Sequence, residues 1–188
     1  MRKIVQPPPH TVKQKAVRTY ARQFGCRTLV ETGTYLGEMV EAVRNDFDRI
    51  ITIELHPKLY RGAKAFFAKY PHIEVLHGDS GKLMPSVLQT LHEPALFWLD
   101  GHWTGGPIPT ARGEKETPIM EELTAILQHA VRRHVILIDD YRIFARQVEF
   151  DASQYPRVKE VFALIRNMRP DLKVFVENDM FVVHPPRN

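Results

Sequence analysis

The residues Glu31-Thr32-Gly33-Thr34-Tyr35-Leu36-Gly37 are the most informative part of this sequence. They continue an apolar run that begins at Thr28, and a helical pattern follows them. Gly33 permits a tight turn and a close approach of the backbone to a ligand. Gly37 lets the next helix begin close to the strand, so that its free N–H groups face a ligand. The spacing is E-x-G-x-x-x-G, so the middle glycine of a dinucleotide-binding loop is missing. Taken alone, the loop is also compatible with an ordinary turn between a strand and a helix.

Outward from this loop, short apolar runs alternate with helical patterns. Such alternation indicates a doubly wound, mostly parallel sheet, and strands that are almost entirely apolar indicate helices on both faces. The predicted strands are 28–31, 49–54, 73–77, 96–100, 134–139, 172–176 and 180–184. The predicted helices are 11–24, 37–45, 57–70, 81–90, 118–129 and 156–168. Only Glu177-Asn178-Asp179 separates the last two strands, which predicts an antiparallel hairpin at one edge. The fold class is therefore α/β, a Rossmann-like sheet of seven strands.

The composition is that of an ordinary globular protein. The chain has 188 residues, of which 44% are hydrophobic and 26% charged, and its formal net charge is +4. It contains no run of five like charges, one cysteine (Cys26), and neither a signal-peptide pattern nor a membrane-spanning apolar stretch. We therefore expect one cytoplasmic domain over 1–188 that binds neither nucleic acid nor a membrane, and a homo-oligomer is compatible with the sequence. Residues 1–27 form a lead-in and a helix, and 101–117 form a long loop typical of an active site.

A carboxylate stands at or near the end of each of the five predicted parallel strands. These residues are Glu31, Glu54, Asp79, Asp100 and Asp139. Ligands of doubly wound sheets bind at the carboxyl ends of the strands, so we expect these side chains in one site. At the end of the second strand, an acidic residue such as Glu54 accepts hydrogen bonds from ribose hydroxyls. An acidic loop in place of a phosphate cradle suits a ligand that has a positive centre and no phosphate, such as S-adenosylmethionine (SAM).

The chain resembles the class I SAM-dependent methyltransferases from about residue 28 to residue 184. The resemblance rests on the glycine loop, Glu54, Asp79, Asp100 and the closing hairpin. The loop at 31–37 is similar to that of a branch that includes the macrolide and aminocoumarin sugar O-methyltransferases and the cephalosporin hydroxylase-like group. The resemblance implies an enzyme that transfers a methyl group from SAM to a hydroxyl of a small molecule, such as a sugar or a glycosylated metabolite.

The resemblance also implies which residues bind the cofactor. Glu31 and the backbone of 32–37 would hold the methionine part of SAM. Glu54 would hold the ribose, and Asp79 with Ser80 would hold the adenine. The predicted cofactor-binding residues are Glu31, Thr32, Gly33, Thr34, Gly37, Glu54, Asp79, Ser80 and Asp100.

Asp100, Asp139 and Asp140 form a candidate metal site. Three carboxylates at neighbouring strand ends can supply oxygen ligands to Mg²⁺, which would lower the pKa of an acceptor hydroxyl and orient it. Similar metal-dependent O-methyltransferases place one aspartate after strand four and an acidic pair after strand five. In the alternative interpretation, Asp139 caps the next helix, Asp140 is solvated and Asp100 contacts the cofactor amine.

His102 is the candidate general base, because a histidine can accept a proton near neutral pH. A structural histidine or a metal ligand is the competing interpretation. We therefore predict Asp100 and His102 as the catalytic residues. The sequence leaves two other functions open, an NAD(P)-dependent oxidoreductase and a non-catalytic cofactor-binding or interaction module of the same fold. The missing middle glycine counts against the oxidoreductase, and the short chain outside the sheet favours the module.

Overall fold

A computed structural model describes residues 4–101, 117–150 and 152–187, and within these ranges seven strands form one mixed sheet. The strands are β1 (Thr28–Thr32), β2 (Arg49–Glu54), β3 (Ile73–His77), β4 (Ala95–Leu99), β5 (Val135–Ile138), β6 (Lys173–Glu177) and β7 (Met180–His184). The helices are α1 (His10–Phe24), α2 (Glu38–Val43), α3 (Pro57–Phe67), α4 (Ser80–Gln89), α5 (Ile119–Gln128), α6 (Tyr141–Phe144) and α7 (Val158–Met168).

The strand order is β3-β2-β1-β4-β5-β7-β6. The first five strands in this order are parallel to one another, and β7 runs antiparallel to both β5 and β6. The predicted fold class and the antiparallel hairpin at the sheet edge are confirmed. Each predicted strand ends within one residue of the observed bounds, because apolar runs bounded by turn residues mark strands clearly.

Helices cover both faces of the sheet, as the apolar strands predicted. Alternate strand residues point to opposite faces of the sheet. Val30 and the strand residues on the same face as it pack against α4, α5 and α7. Leu29 and the strand residues on the opposite face pack against α1, α2 and α3. The two buried layers hold the sheet rigid, and the loops at the ends of its strands are therefore presented on a fixed frame.

The hairpin between β6 and β7 has a two-residue turn. Asn178 and Asp179 adopt positive φ values of 49° and 63°, the conformation of a type I′ turn, which matches the twist of the flanking strands. Glu177, which the sequence suggested as part of the connection, instead belongs to β6 and pairs with Met180.

The structure adds one element that the sequence did not predict. The short helix α6 directly follows β5 and makes only one turn, too short for an apolar period to appear in the sequence. Among the helices of the described ranges, none combines the length and the apolar character needed to cross a membrane.

Candidate active site

The carboxyl ends of the parallel strands lie side by side at one edge of the sheet. Backbone hydrogen bonds continue the strand ladder into the loops: the amide of Gly33 donates to a carbonyl of β2 at 2.9 Å, and that of Asp100 to a carbonyl of β1 at 3.1 Å. The amide of Asp139 donates to a carbonyl of β4 at 3.0 Å. The structure thus brings the glycine loop and the residues that follow β4 and β5 together at the edge where ligands of such sheets bind.

The glycine loop packs directly against the backbone that follows β4. Gly33 has a φ of +82°, and a β-carbon placed on it would lie 2.4 Å from the carbonyl oxygen of Asp100. Gly37 has a φ of +77°, and its β-carbon would lie 2.8 Å from the ring of Phe67 in α3. Both positions therefore leave no room for a side chain. The close approach of this backbone to a ligand stays a prediction.

Glu54 ties this loop to the end of β2. One carboxylate oxygen accepts a hydrogen bond from the amide of Tyr35 at 2.8 Å, and the other accepts one from the amide of His56 at 2.7 Å. Each carboxylate oxygen has a second lone-pair direction, so the group can accept further hydrogen bonds, including those of two ribose hydroxyls. The ribose contact of Glu54 stays a prediction.

Glu31 is buried beneath the loop and is not open to the sheet edge. Its side chain accepts a hydrogen bond from the hydroxyl of Thr52 at 2.5 Å, and that hydroxyl lies 2.5 Å from the hydroxyl of Thr34. Burial raises the pKa of Glu31 to about 8 despite the hydrogen bond from Thr52. In this arrangement Glu31 supports the loop through two threonine hydroxyls, and its contact with the methionine part of SAM stays a prediction.

The buried hydroxyl of Thr32 lies at the strand ends, beside Gly101. Thr32 Oγ1 makes no hydrogen bond with any residue that the structure describes. It lies 3.0 Å from the position of a β-carbon on Gly101, and Ser80 Oγ lies 3.2 Å from the same position. Because buried polar atoms are nearly always hydrogen-bonded, the orphaned hydroxyl of Thr32 fits a site that binds a polar ligand beside the backbone of Gly101.

Asp79 has a structural contact of its own. It is the N-cap of α4, and its Oδ1 accepts hydrogen bonds from the amides of Gly81 at 2.9 Å and Lys82 at 3.4 Å. Ser80 is the first residue of this helix and is buried. The cap fixes where α4 begins beside the site, and the adenine contacts of Asp79 and Ser80 stay predictions.

The carboxylates of Asp139 and Asp140 enclose the ammonium group of Lys13. Lys13 Nζ donates to Asp139 at 2.6 Å and to Asp140 at 3.1 Å. The three side chains are only 7%, 3% and 10% exposed. Burial disfavours the charged form of Lys13, but the two carboxylates outweigh burial and raise its pKa. Lys13 is therefore a cation in this structure.

Arg142 supplies a second cation at the same place. It donates to Asp140 at 2.6 Å and also to the carboxylate of Asp179 in the β6–β7 turn. Asp139 accepts the amide of Asp140 at 2.6 Å. The interpretation in which Asp140 is solvated is wrong, because its carboxylate is buried and is paired with both Lys13 and Arg142.

The predicted metal site does not fit a divalent cation. Across 4–101, 117–150 and 152–187, no three side chains of histidine, cysteine, aspartate or glutamate are grouped so that they could hold a metal ion. Two of the three predicted ligands, Asp139 and Asp140, already bind the ammonium of Lys13. Asp100 is near enough to raise the pKa of Lys13 as well. Asp139 and Asp140 thus lie together around a lysine.

Sequence reasoning missed Lys13, although the sequence carries a signal for it. The buried face of α1 contains Lys13 together with Ala16, Val17, Tyr20 and Ala21. Lys13 lies one turn before Ala16 and Val17, in line with the apolar positions. A lysine within a buried stripe needs a partner of opposite charge, and the acidic pair after β5 provides it.

His102, the predicted general base, lies outside the described residues, as does almost all of the predicted active-site loop at 101–117. Its role stays a prediction.

No protein-family model and no curated protein matches this sequence. Solved structures do match over nearly the whole chain. The O-methyltransferase TomG of Streptomyces achromogenes, solved with SAM, is 18% identical with a TM-score of 0.66, over 94% of this chain and 80% of its own. An O-methyltransferase of Bacillus cereus in complex with S-adenosylhomocysteine (SAH) is 16% identical with a TM-score of 0.64, over 95% and 81%. The 23S rRNA methyltransferase ErmE is 13% identical with a TM-score of 0.57, over 98% and 70%.

Proposed function

We propose that this chain, which has the fold of the class I SAM-dependent methyltransferases, transfers a methyl group from SAM to a hydroxyl of a small molecule. The main support for this proposal is the position of the glycine loop. Gly33 packs against the backbone after β4, and the carboxylate of Glu54 holds the loop at the end of β2. The loop is thereby held at the carboxyl ends of β1, β2 and β4, the edge at which such sheets bind their ligands.

The residues of the site fit SAM in three ways. Glu54 offers carboxylate oxygens at the position suited to ribose hydroxyls. The orphaned hydroxyl of Thr32 and the neighbouring Ser80 offer polar contacts beside Gly101. The backbone after Gly33 can approach the methionine part closely. Bound SAM supplies an electrophilic methyl group, and its displacement needs mainly proximity and alignment of the acceptor oxygen.

The acceptor is proposed on the resemblance to the sugar O-methyltransferase branch. A sugar or glycosylated metabolite carries several hydroxyls that have high pKa values, so a general base would assist their reaction. His102 is the proposed base, and Asp100 is proposed to contact the cofactor or the acceptor at the end of β4. Magnesium assistance through Asp100, Asp139 and Asp140 was the finer part of the sequence prediction. We derive no step through a metal, because Lys13 occupies that carboxylate pair.

Two alternatives are distinguished by ligand binding and turnover. An NAD(P)-dependent oxidoreductase would need the pyrophosphate to approach the loop where the middle glycine is missing and Tyr35 stands. A non-catalytic module would bind SAM without turning it over. The fold by itself does not identify the acceptor, because proteins of this fold act on different molecules. TomG is involved in tomaymycin synthesis, whereas ErmE is a 23S rRNA methyltransferase.

Calorimetric titration of the protein with SAH tests the cofactor site. We expect binding by the wild type and at least tenfold weaker binding by Glu54→Gln, because hydrogen bonds to a charged group contribute roughly 1.5–3 kcal/mol. Glu93→Gln is the matched control, since Glu93 is exposed and precedes the amino end of β4, away from the carboxyl ends of the strands. Binding of NAD(P)H in place of SAH would overturn the proposal.

Turnover is then measured as SAH release from SAM across a panel of sugars, glycosides, phenols and catechols. Release that depends on a hydroxyl compound supports the enzyme. SAH binding without release on any acceptor would instead support the non-catalytic module.

A further inference from the structure

Helix α1 places the ammonium group of Lys13 beside the carboxylates that follow β5. The amino-terminal end of α1 lies at the same edge as the carboxyl ends of the parallel strands, because α1 leads into the beginning of β1 through the turn at Gly25. Buried residues of α1, such as Val17, pack against the same sheet face as Val135 of β5. Lys13, one turn earlier on that face, consequently reaches Asp139 and Asp140 just beyond the end of β5.

An ammonium and a divalent cation compete for the same oxygens at this position. A magnesium ion bound directly to the Asp139 carboxylate would lie about 2.1 Å from an oxygen. The Lys13 nitrogen is 2.6 Å from an oxygen of that carboxylate, so two cations on the same oxygen would stand within about 5 Å of each other in a buried setting, where charges repel strongly. The ammonium also uses its own N–H groups as donors to these oxygens, with no need for the octahedral shell that Mg²⁺ requires.

We propose that the ammonium of Lys13 takes the place of a divalent cation between the two carboxylates that follow β5, Asp139 and Asp140, so that the site works without a metal. Arg142 completes the arrangement on the other side of Asp140. Lys13 and Arg142 together hold the acidic pair in position at the edge of the proposed SAM site. The statement that methyl transfer is metal-independent rests on the proposed function, whereas the exclusion of metal by Lys13 does not.

Metal titration tests the exclusion without any turnover. Wild-type protein, with and without SAH, is titrated with Mn²⁺ and Mg²⁺ in a calorimeter, and Mn²⁺ binding is checked by electron paramagnetic resonance. We expect no binding to the Asp139–Asp140 pair in the wild type at millimolar metal. We expect Lys13→Met, which keeps the length of the side chain and removes its charge, to bind Mn²⁺ at least tenfold more tightly.

Two controls connect the gained binding to this place. Lys15→Met removes an exposed charge from the same helix and should leave metal affinity unchanged. The double variant with Lys13→Met and Asp139→Asn should lose the gained affinity. The proposal is overturned if the wild type binds Mn²⁺ as tightly as Lys13→Met does, or if Lys13→Met folds and gains nothing. If Lys13→Met does not fold, the titration of the wild type decides. Binding of Mn²⁺ by the wild type that is lost in the single variant Asp139→Asn would also overturn the proposal.

Activity provides the last readout. With an acceptor in hand, turnover of the wild type should change less than twofold when EDTA is added or when Mg²⁺ is supplied. Loss of turnover in EDTA that Mg²⁺ restores would overturn the metal-independent site. A protein that binds no SAH would contradict the proposed function instead, and the metal titration would still stand.

Discussion

The carbonyl oxygen of Asp100 lies 2.4 Å from the point that a β-carbon on Gly33 would occupy. The first turn of the sheet and the end of β4 are thus in direct backbone contact, with no space for even a methyl group between them. Because the neighbouring atoms belong to the backbone, they cannot turn aside as a flexible side chain could.

Gly33→Ala should therefore destabilise the protein by about 3 kcal/mol or more, since it combines overpacking with a strained positive φ. Urea unfolding followed by circular dichroism measures the change, and SAH titration should show lost binding. Gly62→Ala is the control, because Gly62 lies within α3 with open space around its β-carbon position. That substitution should stabilise the protein by roughly 0.5–1 kcal/mol, and an equal loss in both variants would contradict the contact.

Glu31→Gln should change how stability depends on pH. Burial raises the pKa of the Glu31 carboxyl group to about 8 in the folded protein, from a usual value of 4.5. Folding takes up a proton between these values, so the contribution of Glu31 to the free energy of unfolding falls as pH rises from about 4.5 to about 8. Glutamine stays neutral and removes this loss.

Denaturant unfolding at a series of pH values measures the effect. Near pH 5.5 the variant should resemble the wild type, and by pH 8.5 it should be more stable by roughly 3 kcal/mol, since each pH unit between the two pKa values is about 1.4 kcal/mol. Parallel curves for the two proteins would show that Glu31 is ionised at neutral pH.

Asp179→Ala should cost about 2–3 kcal/mol of stability. Its carboxylate accepts both the backbone amide and the guanidinium of Arg142, and removal leaves buried donors unpaired. Asp48→Ala is the matched comparison, because Asp48 pairs with Arg27 and the two side chains are 60% and 73% exposed, and exposed ion pairs contribute under about 1 kcal/mol. Thermal or urea unfolding distinguishes the two, and equal losses would contradict the difference in burial.

Asn178→Ala should cost about 1 kcal/mol, because the residue adopts a positive φ of 49° that β-carbon sterics disfavour. Asn178→Gly should be neutral or slightly stabilising, since glycine adopts this conformation without strain. Both substitutions change only this exposed turn residue. The difference between their urea midpoints therefore measures the energetic cost of the positive φ at residue 178. Identical midpoints would mean that the left-handed turn does not persist in solution.

The sheet could be predicted from the sequence because its strands carry their own signals. β2, β3 and β7 have the predicted bounds, since each is rich in apolar residues and has polar residues or turn formers on both sides. α6 was not predicted because a single helical turn is too short to show an apolar period. Glu177 was assigned to the turn because a charged residue at the end of an apolar run is typical of a loop.

The edge of the sheet that these carboxylates reach could be predicted from the sequence, whereas their partners could not. Glu54, Asp100 and Asp139 reach the same edge because parallel strands end there, which the alternation of elements already implied. The partner of Asp139 is 126 residues away in the chain, and no local pattern encodes a contact of that separation. Whether the carboxylates surround a metal or a lysine is decided by how α1 packs, which a pattern of apolar spacing does not reveal.

The contact of Lys13 with Asp139 also bears on the order in which the chain assembles. The first helix cannot reach its charged partner until the chain has been made as far as β5, and β5 in turn pairs with a strand near the carboxyl end. Contacts between residues so far apart in the chain slow folding, because a long loop must close before they contribute. A nascent chain that ends before β5 therefore contains Lys13 without its acidic partners, and the buried ion pair forms only once that strand has been made.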